Sequence, residues 1–272
     1  MKQRDTPSRS MPATLLVDTN HAGVTTVSLN RPEAHNAFDE VMIAELHQIF
    51  RNADNDNRTR VVVVRAEGRS FCAGADLKWM KRAAGFTEQE NYEDAMALAD
   101  LLITLDTLSK PTVAFVQGPA YGGGVGLISC CDIVVALGKT TYCLSEVKLG
   151  LVPAVISPYV VRAIGTRAAR RYFQSAELFS SKEAHRIGLV HEIVGAEADL
   201  DVIVDALLQG GPQAQRISKQ LVARVENQPV TRLLIEDTAR TIASVRASEE
   251  GKEGLNAFFE KRNSGWRQPV KR

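Results

Sequence analysis

Residues 111–151 read PTVAFVQGPAYGGGVGLISCCDIVVALGKTTYCLSEVKLGL. Thr112 to Val116 is apolar and β-branched, as a buried strand requires. A turn follows at Gln117-Gly118-Pro119, and Gly122-Gly123-Gly124 then opens Val125 to Cys131, which reads as a short buried helix. Glycines at a helix start strip that corner of side chains, so another group must approach the backbone closely. The first amides of a helix lack internal partners and lie at the positive end of its dipole. Bare amides there suit a negatively charged oxygen, either a phosphate or an oxyanion formed during a reaction. Downstream, Tyr142 to Glu146 reads as a second buried strand or loop ending in a carboxylate.

Working outward, Thr14 to Asn30 alternates as two short strands joined near Asn20 to Gly23. Asp39 to Asp54 places Val41, Ile43, Leu46, Ile49 and Phe50 at helical spacing. The run TRVVVVR, residues 59–65, is a strand covered on both faces. Residues 68–76, GRSFCAGAD, form a loop whose Ala73-Gly74-Ala75 again permits close backbone approach. The polar stretch Lys78 to Asn91 reads as mobile, and Tyr92 to Leu108 as a helix. Helical spacing returns from Ser157 to Ala163 and from Ala168 to Leu178. Ser180 to Glu183 resembles a helix start, and Glu192-Ile193-Val194 a short strand. Asp199 to Phe259 is helical throughout, with breaks near Gly210-Gly211-Pro212 and Gln228-Pro229. The class is therefore α/β up to about residue 195, followed by a helical C-terminal part.

The chain has 272 residues, 44% hydrophobic and 24% charged, with net charge +1. That balance gives no support for nucleic acid or a membrane surface as partner. No apolar run approaches the ~20 residues of a membrane-spanning helix. The first ten residues are polar and basic without an apolar core, so they do not read as a secretory signal. Cys72, Cys130, Cys131 and Cys143 lack metal-ligand spacing and read as buried, reduced thiols of a cytosolic protein. The five histidines show no paired spacing, and no metal is expected.

Three readings compete for the glycines. Gly124 and Gly126 supply two positions of a dinucleotide GxGxxG, but the third is Ser129 and the motif lies mid-chain. Gly138-Lys139-Thr140 suggests a phosphate-binding P-loop, but the required earlier glycine is Ile133. The third reading is an oxyanion-holding helix start, which needs a second amide from another loop. Ala73-Gly74-Ala75 is the natural source.

FCAGADLKWM, GPAYGGGVGL, CDIVVA and LSEVKLGLVP, in that order, resemble the crotonase (enoyl-CoA hydratase/isomerase) superfamily. The likeness extends from about Thr14 to Trp266 and includes LNRPEAHNAF and GLNAFFEKR. The resemblance implies a crotonase spiral of ββα units with two roughly perpendicular sheets over residues 14–198. It also implies a helical region, residues 199–272, that covers CoA and forms trimers, leaving residues 1–13 as a disordered tail. A homotrimer or dimer of trimers follows, acting on acyl-CoA with no cofactor beyond the substrate's own CoA.

By the same resemblance, the amides of Ala75 and Gly123 hold the thioester oxygen. Ala34, Ala73, Asp76, Leu77 and Lys78 line the CoA path, and Phe258 and Lys261 cover or pair with CoA. Lys261 read alone is a solvated helix charge. Glu146 matches one of the two glutamates of typical hydratases, and the other maps to Gly126. Single-glutamate members include Δ3,Δ2-enoyl-CoA isomerases. GGGVGL, CLSEVKLGLVP and AVISPYVV resemble more narrowly the bacterial methylglutaconyl-CoA and carboxygeranoyl-CoA hydratases. Substrates of that branch carry a second carboxylate, for which Lys78, Lys81 and Arg82 are candidates by position, with a solvated loop as the plainer reading. Cys72 reads as packing rather than nucleophile, and His35 as either a CoA-facing or a loop residue. Arg167, Arg170 and Arg171 form a local basic cluster that could attract an anion, with structural ion pairs or trimer contacts as the favoured reading. The resemblance favours an enoyl-CoA hydratase that adds water reversibly to a branched or carboxylated 2,3-enoyl-CoA, with Glu146 as acid/base; a Δ3,Δ2-enoyl-CoA isomerase and a catalytically weak acyl-CoA-binding protein are the rivals.

Overall fold

Val61–Ala66 (β3) is the centre of the frame. Strand alternation sends Val62 and Val64 into one apolar cluster and Val61 and Val63 into another. Thr112–Val116 (β4) divides the same way, with Ala114 and Val116 on one side and Val113 and Phe115 on the other. A strand buried on both faces has no reason to alternate polar and apolar residues, and here it does not. The computed structural model describes residues 14–267. The tail expected over residues 1–13 and the last five residues of the C-terminal region lie outside that span.

The main sheet has six strands in the order Leu15–Thr19 (β1), Val24–Leu29 (β2), β3, β4, Ile133–Leu137 (β6) and Glu192–Val194 (β9). Strands β1 and β2 form the expected antiparallel hairpin. From β2 onward the neighbours run parallel, with Val24 opposite Val61, Val113 opposite Ile133 and Val135 opposite Glu192. Strand β6 is one that the sequence pattern does not announce, and it sits between β4 and β9. A second sheet of three strands joins Ala120–Tyr121 (β5), Thr141–Cys143 (β7) and Phe179–Ser180 (β8).

Glu40–Asn55 (α1) starts where Asp39 accepts a hydrogen bond from the Met42 amide. It buries Met42, Ile43, Leu46 and Phe50 in the larger cluster. Residues 78–91 are not a mobile stretch. Asp76 caps Leu77–Ala83 (α2), and a reciprocal Thr87–Glu90 capping box starts Glu88–Asp106 (α3). The Trp79 indole donates to Asp94 at 3.0 Å and ties the two helices together.

Gly123–Ser129 (α4) is short and buried, as expected. Ser157–Ser175 (α5) is a single element bent at Gly165, which explains the gap between its two helical runs. Ser181–Arg186 (α6) is capped by Ser180. Leu200–Gln209 (α7) covers the second face of the sheet through Leu200 and Val204. Pro212–Val225 (α8), Arg232–Ala247 (α9) and Glu249–Phe259 (α10) complete the helical part. Among the described residues no helix is long and apolar enough to cross a membrane.

Candidate active site

Two short backbone pairings assemble the site. On one side of β5, Cys72 bridges Ala120. The Cys72 amide donates to the Pro119 carbonyl at 3.1 Å, and the Tyr121 amide donates to the Cys72 carbonyl at 2.8 Å. On the other side β5 runs parallel to β7, and the Gly122 amide donates to the Cys143 carbonyl at 2.9 Å. The loop 72–76 and the turn after β7 therefore flank the glycine corner, although they come from distant parts of the chain.

Ala75 is held by a third pairing. The Phe38 amide donates to the Gly74 carbonyl at 2.7 Å, and the Asp76 amide donates to the Phe38 carbonyl at 2.8 Å. Both bonds use the groups flanking Ala75, and in a parallel bridge the straddled residue turns its own N–H the other way. Among the described residues neither the Ala75 nor the Gly123 amide donates to a protein acceptor. Gly123 is the first residue of α4, where no internal acceptor exists.

The two loops touch at glycines. A Cβ on Gly74 (φ +92°) would lie 3.3 Å from the Tyr121 carbonyl oxygen and 3.9 Å from the Gly122 Cα. A Cβ on Gly124 would meet the Cys72 Cβ at 2.7 Å, so only glycine lets α4 start against this loop.

Glu146 opens a short 3-10 turn, Glu146–Leu149, after β7. The β5–β7 register carries its carboxylate to Gly122, where a Cβ would lie 3.2 Å from Oε1. Its Oε2 is buried and has no hydrogen-bond partner among the described residues. Burial pushes the Glu146 carboxyl above the usual carboxylate range, opposed only by its own backbone amide. Gly126 lies one turn beyond Gly123 and is buried against Ile156.

The proposed CoA path divides into open and closed positions. Ala73 and Ala75 are exposed, as are Leu77 and Lys78, while Ala34 is half-buried. The Ala73 amide donates to the His35 carbonyl at 3.0 Å, which sets residues 34–35 beside the loop. Asp76 is closed. Its carboxylate accepts from the Lys78 and Trp79 amides and pairs with Arg31 at 3.0 Å, so it positions α2. Phe258 is 76% exposed on α10 and Lys261 is exposed after it, and neither hydrogen-bonds nor ion-pairs with the loop among the described residues.

Of the basic candidates, Arg82 pairs with Glu40 and Arg171 with Glu177, while Lys78 and Lys81 are exposed. Sequence reading missed the partner of His35. Arg69 donates to His35 Nε2 at 2.9 Å, which leaves Nδ1 as the donor to Ser70 Oγ at 2.9 Å. This places an exposed guanidinium beside Ala34. GRSF shows the arginine, but nothing in the sequence shows that His35 folds onto it. A cavity of about 760 Å³ lies elsewhere, between Cys130 and Cys131 at the far end of α4 and Lys219 on α8. It contains none of the candidate residues. Among the described residues no group of three or more His, Cys, Asp or Glu could hold a metal ion.

Bare amides beside a half-buried acid are suited to stabilising a developing oxyanion. A profile of the enoyl-CoA hydratase/isomerase family matches residues 19–269. The structure of an enoyl-CoA hydratase from Shewanella pealeana aligns with TM-score 0.91 and 44% identity, covering 94% of this chain and 96% of that one. Pseudomonas aeruginosa AtuE aligns with TM-score 0.89 and 34% identity, covering 94% of this chain and 100% of its own. Enoyl-CoA hydratase ACTT6 of Alternaria alternata is 33% identical over 258 residues, 91% of this chain and 82% of that one. The chain belongs to the enoyl-CoA hydratase/isomerase family and has the crotonase fold.

Proposed function

We propose that this enzyme adds water reversibly to the 2,3 double bond of an enoyl-CoA, with Glu146 as its acid/base. The observation that carries this reading is the half-buried Glu146 carboxylate, which lies against Gly122 with Oε2 unpartnered. A buried acceptor without a partner is costly, and a bound water or substrate atom relieves it. The thioester oxygen accepts from the Ala75 and Gly123 amides, which stabilise the enolate by roughly 3 kcal/mol per donor. Glu146 takes a proton from water as its oxygen bonds to C3, and returns that proton to C2. The balance is one water in and one double bond lost, so no cofactor is needed beyond the CoA of the substrate.

The acyl group on this reading is branched and carries a second carboxylate, as in 3-methylglutaconyl-CoA. The AVISPYVV segment supports the branch, because it sets the apolar Ile156 against Gly126. Lys78 and Lys81, exposed beside the site, are the available cations for the far carboxylate. Arg69 beside Ala34 suits a CoA phosphate. Leu233, Phe258 and Phe259 are 78%, 76% and 74% exposed, which supports cover by further copies in a trimer or a dimer of trimers. Four buried free thiols support a reducing, cytoplasmic setting.

One observation favours a second reading. Gly126 offers no second carboxylate to hold water, as in a Δ3,Δ2-enoyl-CoA isomerase, where Glu146 would move one proton from C2 to C4. Incubation with 2-enoyl and 3-enoyl thioesters separates the two. Hydration removes the conjugated absorbance of 2-enoyl-CoA and forms a 3-hydroxyacyl product. A product that only moves the double bond establishes the isomerase. Tight acyl-CoA binding without turnover on a panel including 3-methylglutaconyl-CoA reduces the protein to a binder.

A further inference from the structure

We infer that Ile156 is a specificity-determining residue: it fills the space beside Gly126 and restricts the site to one carboxylate. The inference rests on the proposed hydratase reading. Gly126 lies three residues after Gly123, so the two lie close together along the same side of α4. A Cβ built on Gly126 would overlap the Ile156 Cγ2 outright and lie 2.7 Å from the Ile156 Cβ. Real Cβ atoms do not approach so closely.

Ile156 has little freedom to yield. It is 3% exposed, and its carbonyl accepts from the Val160 amide at 3.1 Å as α5 begins. Branching at Cβ leaves few rotamers. The two positions are therefore coupled by size. Alanine at 156 keeps the offending Cβ. Only glycine clears the space, because the Ile156 Cα would lie 3.8 Å from a Cβ on Gly126, an ordinary contact. No acidic side chain can grow from position 126 while Ile156 is present. An apolar wall stands there instead, one turn from the Gly123 amide.

The test has a thermal arm and a kinetic arm. Gly126→Ala should lower Tm by roughly 4 °C or more in the wild-type background, from overpacking. The same change should be neutral or stabilising beside Ile156→Gly, where ordinary helix propensity takes over. Beside Ile156→Ala the loss should persist, which gives a reading even if Ile156→Gly does not fold. The kinetic arm compares Ile156→Gly/Gly126→Glu with Ile156→Gly/Gly126→Gln on an unbranched four-carbon 2-enoyl-CoA. The glutamate variant should turn over at least about tenfold faster, a difference that packing alone does not produce. Equal thermal cost of Gly126→Ala in the wild-type and Ile156→Gly backgrounds overturns the coupling. Equal rates for the two double variants, with wild type active, overturn the role in specificity. The thermal arm needs no turnover, so an inactive wild type counts against the hydratase reading and leaves the coupling to be judged by Tm.

Discussion

The carboxylate of Glu146 rests on Gly122: a Cβ on that glycine would lie 3.2 Å from Oε1 and 3.8 Å from Cδ. Gly122 also has φ +49° and ψ −118°, a conformation that side-chain-bearing residues rarely adopt. Gly122→Ala therefore does two things at once. It strains the start of α4 by about 1–3 kcal/mol, and it displaces the acid from the glycine corner proposed to hold the oxyanion. Expected are a lower Tm and a fall in kcat on the order of 10²-fold, as for a misplaced catalytic group. A variant with wild-type kcat would show that the Glu146–Gly122 contact does not matter to the chemistry.

Asp76 sits in the midst of the proposed CoA-path residues but is occupied. Burial works to raise its carboxyl, yet the Trp79 and Lys78 amides and the Arg31 guanidinium outweigh it and hold the group below the usual carboxylate range. Arg31 also pairs with Asp39 at 2.8 Å, so Asp76 links the cap of α1 to the cap of α2. Asp76→Ala should cost roughly 2 kcal/mol, and Asp76→Asn less, because asparagine keeps the cap. A depressed folded-state pKa stabilises above the unfolded value, and that stability disappears as pH falls through the folded value. The difference between wild type and Asp76→Ala should thus shrink in acid. If α2 carries Leu77 and Lys78 to CoA, the variant also raises KM more than it lowers kcat. Urea titrations across pH, with steady-state kinetics beside them, check both.

Legibility followed how local each signal was. The unbroken β-branched run of β3 and the helical spacing of α1 are contained in single windows, and both are readable. The strand β6 is not, because residues 126–137 run from buried helix to buried strand with little polar relief. Asp132 marks that corner, but its job is tertiary: it accepts from the Thr112 amide at 2.8 Å and from Lys219 at 2.9 Å. The helix α2 has only seven residues and no buried side chain, so periodicity has nothing to register. In the site, glycines and an acid in fixed order are visible as motifs. What each glycine leaves room for is not. The contact of Gly126 with Ile156 spans 30 residues of sequence, and that of His35 with Arg69 spans 34. Only folding brings either pair together.

Cys72 touches the glycine corner yet is poorly suited to nucleophilic chemistry. Burial pushes its thiol up to about 12. Burial likewise raises Cys130, Cys131 and Cys143 above the ordinary thiol value. All four are buried and unbridged. At pH 8 a thiol-exchange reagent should find none of them in the native protein and all four after denaturation. Alkylation of native Cys72 accompanied by loss of activity would contradict both its burial and its role as packing.

Glu146→Gln separates function from stability. With the lone acid gone, turnover should fall by at least about 10²–10⁴-fold, while affinity for a CoA thioester changes little. Stability should move the other way. Burial raises the folded-state pKa of Glu146 above its unfolded value, so the native state binds its proton more tightly. Ionising it therefore costs stability, and that cost grows as pH rises through the raised value. Glutamine has no charge to bury. The variant should be the more stable protein at neutral pH, and its advantage should vanish below the unfolded carboxyl pKa near ~4.3. Tm measured from pH 4 to pH 8 reads this directly. Equal pH slopes for wild type and Glu146→Gln would mean that the carboxylate is solvated in the free enzyme, which would remove the buried, unpartnered oxygen on which the proton relay depends.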